Sequence, residues 1–420
     1  MKNTGREKMK NLRVSLKVLM TLSMLAMVIV GCEEDPESIY DPDITGNATP
    51  VVTTVAPDSN YSANNTIFSG IGVVQITGEN FSTVPAYNNV YFGGEPGFVM
   101  NSTETTLRVR VPNIEGDSLI VQVAVRGAFD FGQYALPVVF TPAVSEIGGF
   151  DDLDQLYSLA CDETETLWIT AFGVPRIQVI AVQPDSLKEN IFQSLTVSST
   201  SLTYGGQNRL VMTGGALLYA MGRESHSIDA SVMFPIAGSD VTLDMDFVDS
   251  TLAFMAIKKT PNYGYILSVD LDGANLDTAA AYDTLGIAAV RVFNEELYVA
   301  GSYQVDAVNL ASAVWKNAIS GSTLGQRELV VDLGDYPEYA GVQITSMTFS
   351  DDGKLYLGLN SVDAIVVYDN GILTPFYAPV LSPPTKDLTW GNGDFLYQLK
   401  TTRLVKIDMV KDGAPYGGRY

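Results

Sequence analysis

Hydrophobic and polar positions in the second half of the chain repeat in a two-strand unit, clearest in MTFSDDGKLYLGL (347–359). An apolar run reaches Phe349, the polar SDDGK (350–354) interrupts it, and a second run carries Tyr356. Short apolar runs flanking such a sequence predict two strands joined by a tight hairpin turn. Aligning the inner apolar residue with the aromatic after the turn puts Phe349 and Tyr356 seven residues apart. Cys161–Trp168, Met212–Tyr219, Phe247–Phe254 and Trp390–Tyr397 share that spacing, and Val292–Tyr298 is one shorter because VFNEELY turns more tightly.

The second-strand aromatics are then separated by 51, 35, 44, 58 and 41 residues. A four-stranded propeller blade takes roughly 40 to 50, so the pattern predicts a six-bladed β-propeller over 143–420, with one trimmed blade and one loop insertion. Third strands follow in most units: RIQVIAV (176–182), YILSVDL (265–271), AIVVYDN (364–370) and RLVKIDM (403–409). The last unit has only three strands before KDGAPYGGRY, so its fourth is expected from around Val144 to Gly148, which closes the ring. The rhythm resembles NHL and related six-bladed propellers, although the hallmark residues of that family are not cleanly present.

Between residues 50 and 142 the pattern differs. VVQITGENF (73–81), NVYFGG (89–94), TTLRVRVP (105–112) and SLIVQVAV (118–125) are short β-rich runs punctuated by Gly, Pro and Asn. Leu107, Val109 and Val111 alternate with Arg108 and Arg110, as in a strand with one buried face. An all-β immunoglobulin-like sandwich fits. Val55, Pro57, ITGENF (76–81), VYFGG (90–94), the strand from Thr106 to Pro112 and a closing strand to Thr141-Pro142 resemble an IPT/TIG domain. Its most specific element is the turn at Gly78-x-Asn80-Phe81. The resemblance implies a spacer or contact surface without catalytic residues.

Before residue 50 no strand pattern appears. Lys2, Arg6, Lys8, Lys10, Arg13 and Lys17 precede thirteen uncharged residues, Val18 to Val30. That run is too short to cross a bilayer, which takes about 20 residues, and 1–31 read as a signal peptide. Ile29-Val30-Gly31-Cys32 resembles the bacterial lipobox, which implies cleavage before Cys32 and acylation of its thiol and new amino group. Residues 32–49 then form an acidic spacer, and Glu33-Glu34-Asp35 resembles the surface-export signal of Bacteroidota lipoproteins. The combination resembles surface lipoproteins of that phylum, some linked to glycan capture. Such an anchor implies the outer membrane, with the outer face favoured over the periplasmic one.

Charge narrows the chemistry. Cleavage at Cys32 removes six bases and one acid, taking the formal charge from −23 to −28. So acidic a chain is a poor partner for nucleic acid or for an anionic membrane surface, both of which call for basic patches. Its single histidine, His226, has no second imidazole to share a metal or triad, and Cys161 sits at an inner apolar position, so both read as structural. With Cys32 acylated, Cys161 has no cysteine left to pair with. DLDGAN (270–275) lacks the later ligands of a calcium loop and reads as a turn. No catalytic residue, metal or cofactor is therefore assigned.

Trp315 lies in the longest interval, read as an insertion, and with Lys316 and Asn317 forms one candidate ligand loop. IKKTPNYGY (257–265), with Tyr263 and Tyr265, is a second. The expected function is binding or scaffolding at the cell envelope, through propeller loops that recognise a glycan or a partner such as an outer-membrane transporter. Two alternatives stay open: a carboxylate-based polysaccharide hydrolase or lyase at the propeller funnel, and adhesion through the sandwich.

Overall fold

The computed structural model describes residues 46–419, apart from 62–64, 173–176, 196–198, 206, 215–216, 236–240, 261–262, 273–274, 284, 306–309 and 379. Cys32, the segment before it and most of the acidic spacer lie outside the described residues.

Among the described residues, the first domain is a sandwich of ten strands: β1 (Val51–Pro57), β2 (Ile67–Ser69), β3 (Val73–Glu79), β4 (Asn88–Phe92), β5 (Glu95–Ser102), β6 (Thr106–Arg110), β7 (Gly116–Leu119), β8 (Val121–Val125), β9 (Gly132–Gln133) and β10 (Val138–Pro142). One sheet runs β1-β3-β6-β5-β4-β8-β9 and the other β2-β10-β7. Leu107, Val109 and Val111 are buried while Arg110 is exposed and Arg108 pairs with Asp58 at 2.8 Å. Gly78 is dictated by close approach, since a Cβ there would stand 1.8 Å from the Val51 carbonyl oxygen. Asn80 takes a positive φ of 63° and donates to the Thr49 carbonyl at 2.9 Å, which lets Phe81 turn into the core.

The second domain is a six-bladed β-propeller. The inner strands of blades 1 to 6 are Gln155–Cys161, Ser199–Gly205, Val241–Phe247, Leu285–Phe293, Ile344–Phe349 and Asp387–Trp390. Each contacts the next, and the sixth contacts the first, so the ring is closed. Blade 6 draws Phe395–Leu399 and Leu404–Asp408 from the end of the chain and its outermost strand, β11 (Val144–Ile147), from the segment after the sandwich. Val144 pairs with Ile407 and Ile147 with Leu404, antiparallel. A strand from each end of the domain thus locks the ring. Six hydrophobic cores lie between consecutive blades, including one between blades 6 and 1 that joins Tyr397, Leu399 and Leu404 to Leu156, Ile169 and Ile180.

The second unit departs from the sequence alignment. Met212 and Tyr219 are opposite one another on the second and third strands of blade 2, whereas in the other units the pair lies on the first and second. The true counterparts are Tyr204 and Val211, because Thr203 faces Val211 as Ala160 faces Trp168. With Val211 in place of Tyr219, the intervals of 51 and 35 both become 43. No blade is trimmed. The seven-residue spacing measures a tight hairpin, and consecutive strands of one blade form more than one.

Among the described residues, the long fourth interval places Trp315, Lys316 and Asn317 in a strand and not in an inserted loop. Its extra length goes into an eleven-residue third strand, Leu310–Ser320, the short strands Thr323–Leu324 and Glu328–Asp332 that pair with it, and two 3-10 turns.

Candidate functional site

The inner strand of a blade has a neighbour on one side only, so its other edge presents unpaired N–H and C=O groups to the channel. Side chains reaching between neighbouring blades satisfy many of them. Asp244 and Asp246 of blade 3 accept from the amides of Val290 and Val292 in blade 4, at 2.8 and 2.7 Å. Asp387 of blade 6 accepts from Leu159 in blade 1 at 2.9 Å. Where the neighbour offers a carbonyl, a donor is used: Thr203 Oγ1 to Met245 at 2.8 Å, and Arg291 Nε to Met347 at 3.0 Å.

This gathers three carboxylates and one guanidinium near the axis. Burial pushes the Asp246 carboxyl up to about 6 against the pull of Arg291, whose Nη1 lies 3.7 Å away. Burial, reinforced by Asp244, pushes Asp387 up to about 7. Asp244 is raised too, again mainly by burial. Burial opposes the charge on Arg291, yet Tyr416, Asp246 and Asp244 outweigh it and raise its pKa.

One end of the channel is covered by the segment 412–419. Gly413 bridges to Ser350, and the Ala414 amide donates to the Phe349 carbonyl at 3.0 Å. The Tyr416 hydroxyl meets Thr348 at 2.7 Å, with its ring 5.1 Å from the Arg291 guanidinium and 4.5 Å from that of Arg419. Arg419 donates to the carbonyls of Cys161 at 3.0 Å and Gly391 at 2.9 Å. Glycine is required at 413 and 418, where a Cβ would fall 2.1 Å from Trp390 Cγ and 2.4 Å from the Tyr204 carbonyl oxygen. The cavity left between Asp244, Arg291, Asp387, Thr389, Tyr416 and Arg419 measures about 20 Å³, room for one or two waters. A carboxyl titrating near neutrality suits general acid catalysis, but no sugar ring fits here.

The residues that sequence reasoning selected lie elsewhere. Trp315, Lys316 and Asn317 are on the third strand of blade 4, not in an exposed loop. Trp315 packs edge-on against Tyr303 at 6.1 Å, and the Arg327 guanidinium lies 5.6 Å from its ring. Lys316 pairs with Glu296 at 2.8 Å. Asn317 is buried, accepting from the Tyr282 hydroxyl and donating to the Gly325 carbonyl at 2.9 Å. Length alone suggested an insertion; strand pairing absorbed it.

The 257–265 stretch is likewise a hairpin, with Thr260 opposite Tyr263 and Ile257 opposite Tyr265. Tyr265 packs against the core between blades 2 and 3, and the Tyr263 side chain lies outside the described ones. Cys161 is buried in the core between blades 1 and 6, its thiol pushed up to about 12 by burial. His226 is exposed, in a turn with a φ of 50°, 6.2 Å from the Trp168 ring.

Sequence reasoning missed the axial cluster. Part of its signal was the residue just before the inner apolar position, where Asp246, Arg291, Thr348 and Thr389 precede Phe247, Val292, Phe349 and Trp390; Asp244 and Asp387 stand two residues earlier still, three before Phe247 and Trp390. Polar residues recurring there mark the channel-facing edge.

The two propeller faces differ. Leu153, Phe172, Val241, Val305 and Val362 are exposed at or beside the starts of inner strands or the ends of second strands. That places them on the face opposite segment 412–419, near the axis. On the same face the Tyr303 hydroxyl donates to Asp332 at 2.5 Å and that of Tyr339 to Asp363 at 2.8 Å. The covered face exposes Leu329 and Ile372 beside outer strands.

Residues 50–141 match the family model of the IPT/TIG domain. No curated protein sequence matches the chain. Among solved structures, an auxiliary nutrient binding protein from Bacteroides thetaiotaomicron is similar over 88% of this chain and 98% of its own, at 11% identity and a TM-score of 0.50. A luciferin-regenerating enzyme is similar over 66% of this chain and 98% of its own, at 12% identity and a TM-score of 0.50. At such identities the likeness is one of fold. One propeller architecture serves binding proteins and enzymes alike.

Proposed function

We propose that this protein is a lipid-anchored binding protein of the outer membrane, exposed at the cell surface, which recognises a glycan or an envelope partner through the open face of the propeller without turning it over. One observation carries the reading. The axis is closed by segment 412–419 and holds a cavity of about 20 Å³, while the opposite face exposes Leu153, Phe172, Val241, Val305 and Val362 beside hydrogen-bonded tyrosines. Exposed apolar groups with polar neighbours suit the faces and edges of sugar rings, or a protein surface. The name of the Bacteroides thetaiotaomicron structure accords with binding. Anchoring rests on the lipobox at Cys32, and two or more acyl chains hold a soluble domain stably.

The test is binding of the chain from residue 33 to a polysaccharide panel, repeated with Val305→Asp/Val362→Asp and with Ile372→Asp on the covered face. Binding should be lost in the first variant and kept in the second. Equal binding by both would move the site off this face, and failure to bind any polysaccharide would leave the envelope partner. Labelled fatty acid should enter the wild type and not Cys32→Ala.

A second reading, hydrolysis or lysis of a polysaccharide, has the raised Asp387 in its favour. It requires segment 412–419 to move away, and it predicts release of sugar ends that Asp387→Asn abolishes.

A further inference from the structure

The sandwich exposes an aromatic tip that neither domain's core explains. After β8 the chain turns at Arg126-Gly127, and Phe129, Asp130 and Phe131 stand in solvent before β9, with Phe129 80% and Phe131 60% exposed. The base of this finger is braced. The Arg126 amide donates to the Tyr87 carbonyl at 2.9 Å, its guanidinium lies 4.8 Å from the Tyr87 ring, and the Ala128 amide donates to Val125 at 3.0 Å. Two rings held out on a rigid base are costly to hydrate and point to a partner surface.

Strand register shows which end of the sandwich this is. Val51 at the start of β1 pairs with Glu79, and Pro57 at its end with Val74. Val73 pairs with Arg110, so the Pro57 end is also the end of Asn113 and Gly70, where a Cβ on Gly70 would meet Val380 of the propeller at 2.6 Å. The finger is at the other end. Asn47, shortly before β1, donates from its amide to Gly127 at 3.2 Å and from Nδ2 to Arg126 at 2.8 Å. A Cβ on Gly132 would stand 2.3 Å from the Pro50 carbonyl oxygen. The chain therefore enters the sandwich at the foot of the finger, with the propeller at the far end. Cys32 lies 14 residues before Gly46, so an anchor there is at most about 50 Å of chain away.

We propose that Phe129 and Phe131 seat the protein on the lipid bilayer, entering the boundary between headgroups and acyl chains and holding the propeller away from the membrane. This rests on the Cys32 anchor of the function proposed above. Two phenylalanines beside an exposed aspartate on a strongly acidic protein would not hold a free molecule to a membrane, for lack of basic residues and apolar area. An anchor on the same chain raises their local concentration at the bilayer, so a weak contact suffices to set orientation.

The test couples Cys32 of the mature chain to a maleimide lipid in phosphatidylcholine–phosphatidylglycerol vesicles, which anchors it whether or not cells acylate that residue. Phe129→Trp and, as control, Leu153→Trp on the propeller are compared using brominated acyl chains, each after subtracting the signal of the unsubstituted protein. Quenching several-fold stronger at 129 than at 153, and abolished at 129 by Phe131→Ser/Ala128→Ser, is the expected result. Equal quenching at the two positions overturns the seating. Failure of the wild type to take up fatty acid in cells would instead remove the anchor and leave the vesicle result standing.

Discussion

The sandwich and the propeller bury apolar strands in different ways. In the sandwich, two sheets meet over one core of Val74, Ile76, Phe92, Leu107, Val109, Val121, Val123 and Phe140. Its buried polar side chains are few, and Asn88 and Ser69 are both hydrogen-bonded. In the propeller no blade covers its own faces. Each of six cores is shared between neighbours, and β11 makes the last one possible. The propeller also accepts buried charge that the sandwich avoids, because its inner strands carry a free edge. A sheet stacked face to face has no such edge inside; a ring of sheets has one per blade.

The largest effects should come from truncating each kind of core. Phe92→Ala and Trp390→Ala remove fully buried rings, at about 3–5 kcal/mol each. Calorimetry should give two transitions, with Phe92→Ala lowering only the sandwich's. Because the propeller cores form a closed ring, Trp390→Ala should lower the whole propeller transition rather than split it. A blade that melts by itself would break the comparison.

Next, Arg291→Met should cost the propeller about 3 kcal/mol at neutral pH, since it strands three buried carboxylates. The pH dependence has a definite sign. Asp246 and Asp387 bind protons more tightly folded, at about 6 and 7 against 3.8, so their contribution is fully present below pH 3.8 and is lost as pH rises to 7. Asp154, Asp249 and Asp352 are lowered despite burial, by hydrogen bonds and lysines, and lose their contribution as pH falls through their folded values. Thermal scans should show the propeller melting earlier at pH 8 than at pH 5, with a steeper loss in Arg291→Met. A flat profile between those values would contradict the buried-charge account.

The smallest effect belongs to Lys316→Ala. Its pair with Glu296 is partly exposed, so the loss should stay within about 1 kcal/mol and leave ligand binding unchanged. Lost binding in this variant would restore the strand as a contact surface.

Local pattern carried the architecture. Alternation at Leu107, Val109 and Val111, the Gly78 turn and the seven-residue hairpin rhythm are consequences of backbone geometry within a few residues, so the sequence alone determined two all-β domains and six blades. Even the closing strand near Val144 followed from counting three strands in the final unit. The register of blade 2, the pairing that absorbed Trp315, Lys316 and Asn317, and the axial cluster of Asp244, Asp246, Arg291 and Asp387 were decided by tertiary structure. Each depends on which strand edge faces which neighbour. Asp246 and Val292 are 46 positions apart along the chain, and only closing the ring brings that carboxylate to that amide.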